Sequence, residues 1–152
     1  DPSYIPPEIY NSSSSLEPAD FTDAGQALVL ANEYGDKLKY SPATNFIHFN
    51  GRYWEESEPL AEGISVELTD RQLQEVENRI TMLLDEMERN GALQILATHT
   101  VKTAKKRFNS EQYKVYSLFE HAKEFKKFIL KTAVWNIIES IGSSSGALSK
   151  IL

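Results

Sequence analysis

FTDAGQALVLANEYGDKLKYSPATNFIHFNGRYWEE, residues 21–56, is the stretch on which the reading of this chain turns. It reads as a capped helix, a glycine stop and short alternating strands closed by an Asn-Gly turn. Thr22 and Asp23 are N-cap candidates, and Asp23 with Gln26 three residues on has the form of a capping box. Ala24, Ala27, Leu28, Leu30, Ala31 and Tyr34 recur at helical spacing and predict one packed face. Gly35 supplies the left-handed conformation that commonly ends a helix. Beyond it Lys37 to Tyr40 alternates polar and apolar, and Phe46 to Phe49 is aromatic and β-branched apart from His48. Asn50-Gly51 predicts a hairpin turn, because both central residues of the favoured two-residue turn need positive φ. Arg52-Tyr53-Trp54 is the expected partner strand. Trp54 is its largest side chain and the expected anchor between hairpin and helices, so that truncation to alanine would cost about 3–5 kcal/mol.

The order Thr-Asp-x-Gly-x-Ala, helix, Tyr-Gly-Asp-x-Leu-x-Tyr-x-Pro, aromatic strand, Gly-Arg-x-Trp resembles the helicase-associated domain of phage and plasmid primases and of poxvirus primase-helicases. The residues that carry it are Thr22, Asp23, Gly25, Ala27, Tyr34, Gly35, Asp36, Leu38, Tyr40, Pro42, Phe49, Gly51, Arg52 and Trp54. The string departs from the family at Gln26, where Asn is frequent, and at Ala43-Thr44, where aromatic or glycine residues are common. In that family the domain lies between an N-terminal primase-polymerase and a C-terminal superfamily 3 helicase. The resemblance therefore implies an accessory or connector domain of a DNA replication primase-helicase from a phage, plasmid or similar mobile element. Such a domain would contribute to DNA binding and to positioning the helicase. It implies template or origin DNA and the flanking primase and helicase domains as partners, and oligomerisation through the parent helicase. The host cytoplasm is the implied location. ATP and Mg would serve the parent protein, with no cofactor held by this chain.

A chain of 152 residues is long enough for one domain with a real core. It has no cysteine, which excludes a disulfide framework and thiolate metal ligands. No apolar run reaches the ~18 residues of a membrane span, and no signal peptide opens the chain. The first residue is Asp1, so the chain reads as a piece of a longer protein.

The formal net charge of −6 conceals an asymmetry. Residues 1–90 carry 18 Asp/Glu against 6 Lys/Arg (−12), and residues 91–152 carry 4 against 10 (+6). That split suits a basic face that meets an anion, or simply two differently solvated helix surfaces.

Residues 1–20 hold Pro2, Pro6, Pro7, Pro18 and the run Ser12 to Ser15, a linker composition in which Tyr4, Ile5, Ile9 and Tyr10 are apolar enough to dock. Glu55, Glu56, Glu58 and Glu62 read as a solvated acidic loop with no metal-ligand spacing. Ile64 to Leu68 alternates and predicts a short strand. Thr69 to Asn90 is the clearest helix, with Thr69 and Gln72 as a capping box and Leu73, Val76, Ile80, Leu83, Leu84 and Met87 on one face. Ala92 to Phe108 reads as the next helix, buried along Leu93, Ala97, Val101, Ala104 and Phe108.

Opposite that stripe fall His99, Lys102 and Lys106, with Lys105 and Arg107 at its borders and the hydroxyls of Thr98 and Thr103 beside it. Lys102, Lys105, Lys106, Arg107 and, further on, Lys114 are the candidate nucleic-acid contacts, since cations at this spacing can follow a phosphate backbone. Tyr113 and Tyr116 flank Lys114 and suit either base stacking or a core edge. Ser110 to Glu120 and Ala122 to Ile141 read as further helix, with Val115, Leu118, Phe119, Phe125, Phe128, Ile129, Ala133 and Ile137 inward and Trp135 in the core. Lys123, Lys126, Lys127 and Lys131 extend the basic character. Residues 142–152 form a serine loop and the start of another helix; the loop lacks the Gly-Lys-Ser/Thr that closes a phosphate-binding P-loop.

The expected fold is mainly α with some β: a helical bundle over 21–141 with a small antiparallel hairpin or three-stranded sheet, at about 37–56, on its N-terminal side. His48, His99 and His121 have no nucleophile or carboxylate pattern around them, so the chain is expected to be non-enzymatic by itself. A protein-interaction or oligomerisation module without DNA contact, and a nucleotide-handling enzyme, are the other classes the sequence leaves open.

Overall fold

The computed structural model describes residues 15–41, 45–49, 51–56 and 58–142. Helix dominates them: α1 is Asp23–Tyr34, α2 Glu58–Arg89, α3 Ala92–Thr98, α4 Val101–Arg107 and α5 Ser110–Gly142. Three short strands, β1 Leu38–Ser41, β2 Asn45–Phe49 and β3 Trp54–Glu56, are paired in that order. The protein is mainly helical, as its apolar periodicity predicts. It divides into two compact units, one drawn from Gln74–Lys126 with Ser15, the other from Leu16–Leu73 with Lys127 onward.

In the second of these units, Thr22 is the N-cap of α1. Its backbone is extended and its hydroxyl accepts from the Gly25 N–H at 3.1 Å. Asp23 occupies the first turn, where a carboxylate suits the helix dipole. The expected box does not form, because Gln26 points into the core. The buried face of α1 is Gly25, Gln26, Leu30 and Tyr34, while Leu28 is 63 % exposed and Ala24 and Ala31 face solvent. Gln26 Nε2 donates to Gln72 Oε1 at 2.6 Å, and Gln72 Nε2 donates to Gln26 Oε1 at 2.9 Å and to the Leu16 carbonyl at 3.0 Å. Around this closed amide pair lie Leu16, Leu30, Tyr34, Ile64 and Leu68, with Ala27 and Val29 against them. Leu16 and Pro18 are buried, so packing begins upstream of Phe21. Phe21 itself stacks on Phe128 with centroids 5.5 Å apart.

Arg71 closes the edge of this core. It donates to the Tyr34 hydroxyl at 3.0 Å and to Glu33 Oε1 at 2.7 Å, and its guanidinium lies 5.7 Å from the Tyr34 ring centre. Those two hydrogen bonds raise its already high pKa.

α2 begins at Glu58, well before the predicted Thr69. The strand expected over Ile64 to Leu68 is helix instead. Ile64 and Leu68 are four residues apart, so both can face one core from a helix as well as from a strand; both are buried here. Thr69 is consequently mid-helix: its hydroxyl donates to the Val66 carbonyl at 2.9 Å, a back-bond and not a cap. Glu58 and Glu62 belong to the opening turns of α2, not to a loop.

Gly35 is right-handed (φ −61°, ψ −20°), and α1 ends as Lys37 N–H bonds the Tyr34 carbonyl at 2.9 Å. β1 and β2 run antiparallel from Leu38↔His48 to Ser41↔Asn45, and β2 and β3 from Ile47↔Glu56 to Phe49↔Trp54. The hairpin expected with Arg52–Trp54 as its strand is not the one formed. The last pair is Phe49 with Trp54, which leaves Arg52 and Tyr53 outside the strands, with Gly51 at φ 101°. Trp54 is 37 % exposed, and its ring meets Phe49 at 5.4 Å across the strands. A cross-strand aromatic pair contributes far less than a core tryptophan, so Trp54→Ala should lower stability by about 1 kcal/mol, not 3–5. Denaturant unfolding of the variant measures it; a loss above about 3 kcal/mol would mean that the indole is buried.

In the unit around Gln74–Lys126, Val76, Leu83 and Met87 of α2 are fully buried, as the periodicity predicts, while Leu84 is 36 % exposed. α5 is one continuous helix of 33 residues, with Val115, Ala122 and Phe125 buried. Arg79 lies 5.6 Å from the Phe125 ring centre and bonds Glu75 at 3.1 Å. The chain turns after α2 at Gly91, whose φ of 86° is left-handed. Gln112 locks that turn to the start of α5. Its Nε2 donates to the Asn90 carbonyl at 2.7 Å, and its Oε1 accepts from Asn109 N–H at 2.9 Å while Asn109 Oδ1 accepts from Gln112 N–H at 2.8 Å. The last two bonds are a capping box.

The expectations for Tyr4, Ile5, Ile9, Tyr10, Ser12 to Ser14, Pro42, Ala43, Thr44, Asn50 and residues 143–152 lie outside the described residues. So do those for the side chains of His48, Ala133, Trp135 and Ile137.

Candidate nucleic-acid interface

The single helix expected from Ala92 to Phe108 is broken at His99 and Thr100, and the break is what shapes the basic face. Thr98 turns its hydroxyl back onto the Gln94 and Ile95 carbonyls at 3.0 and 3.3 Å. His99 is extended, and its Nδ1 lies 3.1 Å from the Ile95 carbonyl and 2.9 Å from the Thr98 hydroxyl. Thr100 then caps α4: its hydroxyl accepts from Thr103 N–H at 3.3 Å and donates to Thr103 Oγ1 at 3.0 Å. Two corrections follow. His99 does not share a helical face with Lys102 and Lys106. The hydroxyls of Thr98 and Thr103 are engaged in the break instead of standing beside the cations.

α4 is held by little. Ala104 is its buried residue, whereas Val101 is 52 % exposed and Ala97 of α3 is exposed, contrary to the predicted stripe. Phe108 follows at the C-cap, donating its N–H to Ala104, and its ring packs on Tyr116 of α5 at 5.3 Å. With one small residue inward and an aromatic at its end, the rest of α4 faces out. Lys102, Lys105, Lys106 and Arg107 are all exposed, and so is Lys114 on α5. Lys105, Lys106 and Arg107 occupy the last turn, where cations suit the negative end of the helix dipole.

The cations are not equivalent. Lys105 Nζ lies 5.7 Å from the Tyr116 ring centre. Burial pushes Glu120 up, but hydrogen bonds from Tyr116 and Lys123 and the charges of Lys123 and Lys105 outweigh it and hold its carboxyl below the usual range. Tyr116, buried beside that carboxylate and bonded to it, has its hydroxyl pushed up to about 12. Lys105 is thus partly committed within the protein. Lys102, Lys106 and Arg107 have no ion-pair partner among the described residues.

Of the two flanking tyrosines, Tyr116 is 5 % exposed and Tyr113 48 %. Among the described residues no group of three or more His, Asp or Glu is placed to hold a metal ion, and no helix is long and apolar enough to cross a membrane. The arrangement is suited to holding anions by charge. Sequence reasoning missed Thr100, which starts the basic helix, and Gln112, which fixes the turn ahead of it. An Asn109-x-x-Gln112 box was legible for the second; Thr100 looks like any interior threonine.

No protein-family model matches this chain, and neither a curated protein nor a solved structure is significantly similar to it.

Proposed function

We propose that this chain is an accessory, connector-type domain of a DNA replication primase-helicase, and that it contributes DNA contact through α4. The observation that carries the DNA contact is the set of exposed cations Lys102, Lys106 and Arg107, which lack ion-pair partners among the described residues, beside the partly engaged Lys105. Unpaired exposed cations are available to neutralise phosphates, and the counterions this releases from the polyanion drive its binding. The replication context rests on the ordered resemblance from Thr22 to Trp54 alone. In this reading primer synthesis and ATP hydrolysis belong to neighbouring domains, and the chain acts in the host cytoplasm.

Binding of this kind is weak, sequence-independent and steeply salt-dependent. Four phosphate contacts give a log–log slope against salt of roughly −3 to −4, at about 0.7–0.9 per contact. Lys102→Glu with Lys106→Glu should lower affinity at least about tenfold and flatten the slope by roughly 2. Stability should barely change, because both side chains are exposed and neither holds an ion-pair partner among the described residues. Fluorescence anisotropy with labelled oligonucleotides at low and moderate salt measures both quantities. Equal binding by wild type and variant, or none at low salt, would exclude this face and favour a protein-interaction module.

A further inference from the structure

We infer that the partner of this face is a single-stranded nucleic acid, one of whose bases stacks on Tyr113. The inference rests on the nucleic-acid reading of α4 and adds to it the strand type and a second contact residue. The solvent face of α5 beyond its cap runs through Ser110, Tyr113, Lys114, Ser117 and His121, all exposed. Among these residues Tyr113 offers the large aromatic face. The neighbouring rings are used inside the protein: Phe108 packs on Tyr116, Tyr116 on Phe119, and Tyr116 is 5 % exposed.

Tyr113 lies one turn before Tyr116 on α5, and the Tyr116 ring is the one that Lys105 of α4 approaches to 5.7 Å. Half of the Tyr113 side chain is therefore presented to solvent beside the end of the basic helix, with Lys114 next to it. A row of cations followed by an open aromatic surface is the pairing that tracks a flexible backbone and holds an unpaired base. Duplex DNA offers the same phosphates to α4 but no free base face to Tyr113, since its bases are stacked on one another.

The test uses the whole chain and four proteins: wild type, Tyr113→Leu, Tyr113→Trp and the Lys102→Glu/Lys106→Glu pair. Each is titrated against a labelled oligothymidylate and a labelled mixed-sequence duplex of equal length. Tyr113→Leu keeps an apolar side chain at an exposed position, so the fold should survive, which circular dichroism checks. It should weaken single-strand binding roughly five- to a hundredfold, the range for one stacked base, and leave duplex binding within about twofold. Tyr113→Trp should retain or tighten single-strand binding. The salt slope of Tyr113→Leu should equal that of wild type, because no phosphate contact is removed. A Tyr113→Leu variant that binds single strands like wild type, or that loses single and double strands equally, overturns the inference while leaving the basic face standing. A charge-reversal pair that binds like wild type removes the basic face and, with it, this inference.

Discussion

Gln72→Ala should unfold this protein more readily by about 3–5 kcal/mol, one of the largest losses any single truncation in it would give. The substitution removes a fully buried side chain and leaves a cavity. It also strands both ends of the Gln26 amide, 1 % exposed, and the Leu16 carbonyl, each of which now bonds Gln72. Buried polar groups without partners cost about 1–3 kcal/mol each. For a chain of this length the melting temperature should fall on the order of 10 °C. The diagnostic is the cycle with Gln26→Leu and Gln72→Leu. Either leucine alone orphans an amide, whereas together they orphan only the Leu16 carbonyl, so the pair should be less damaging than the sum by about 1–2 kcal/mol. Additive losses would show that the two amides do not depend on each other.

Gly25→Ala and Gly63→Ala should have opposite signs, although both glycines lie in helices. A Cβ at Gly25 would fall far inside contact distance of the Asp20 carbonyl oxygen and of Asp20 Oδ1. The carbonyl is backbone, and Asp20 also meets the hydroxyl of the cap, Thr22, so relief requires moving the turn that starts α1. Overpacking of this kind costs about 3 kcal/mol, against a helix-propensity gain of at most about 1. The net loss is about 2 kcal/mol. At Gly63 a Cβ would meet nothing within 4 Å, so alanine should stabilise α2 by up to about 1 kcal/mol. Urea midpoints of the two variants measure both. A neutral Gly25→Ala would mean that the Asp20 turn is not packed against α1.

These two predictions also show where sequence reading succeeds and fails. Val76, Leu83 and Met87 were legible because three- and four-residue spacing of large apolar groups has one physical meaning on a helix. Gln26 and Gln72 were read as two separate capping boxes because each stands three residues after a capping type. That pattern is local, and the bond between them spans 46 residues, which no local pattern encodes. Ile64 to Leu68 misled for a related reason: a five-residue alternation also satisfies the four-residue spacing of a helix. At the site, the cations Lys102, Lys105, Lys106 and Arg107 were visible in the sequence, but the break at His99 and Thr100 was not. It depends on Thr100 capping a new helix and not continuing the old one, a choice that no local spacing encodes. The difference between Tyr113 and Tyr116 was equally hidden, since neighbouring tyrosines on one helix are told apart only by what packs on them.

The central claim is that α4 is where nucleic acid touches this protein. Backbone amide chemical shifts of the 17.2 kDa chain, followed while a short single-stranded oligonucleotide is added at low salt, test it most directly. The account predicts shifts concentrated on Val101–Arg107 and on the start of α5 around Tyr113 and Lys114, reversed by added salt. Shifts confined to α1 and the strands, or no shifts at low salt, would contradict it.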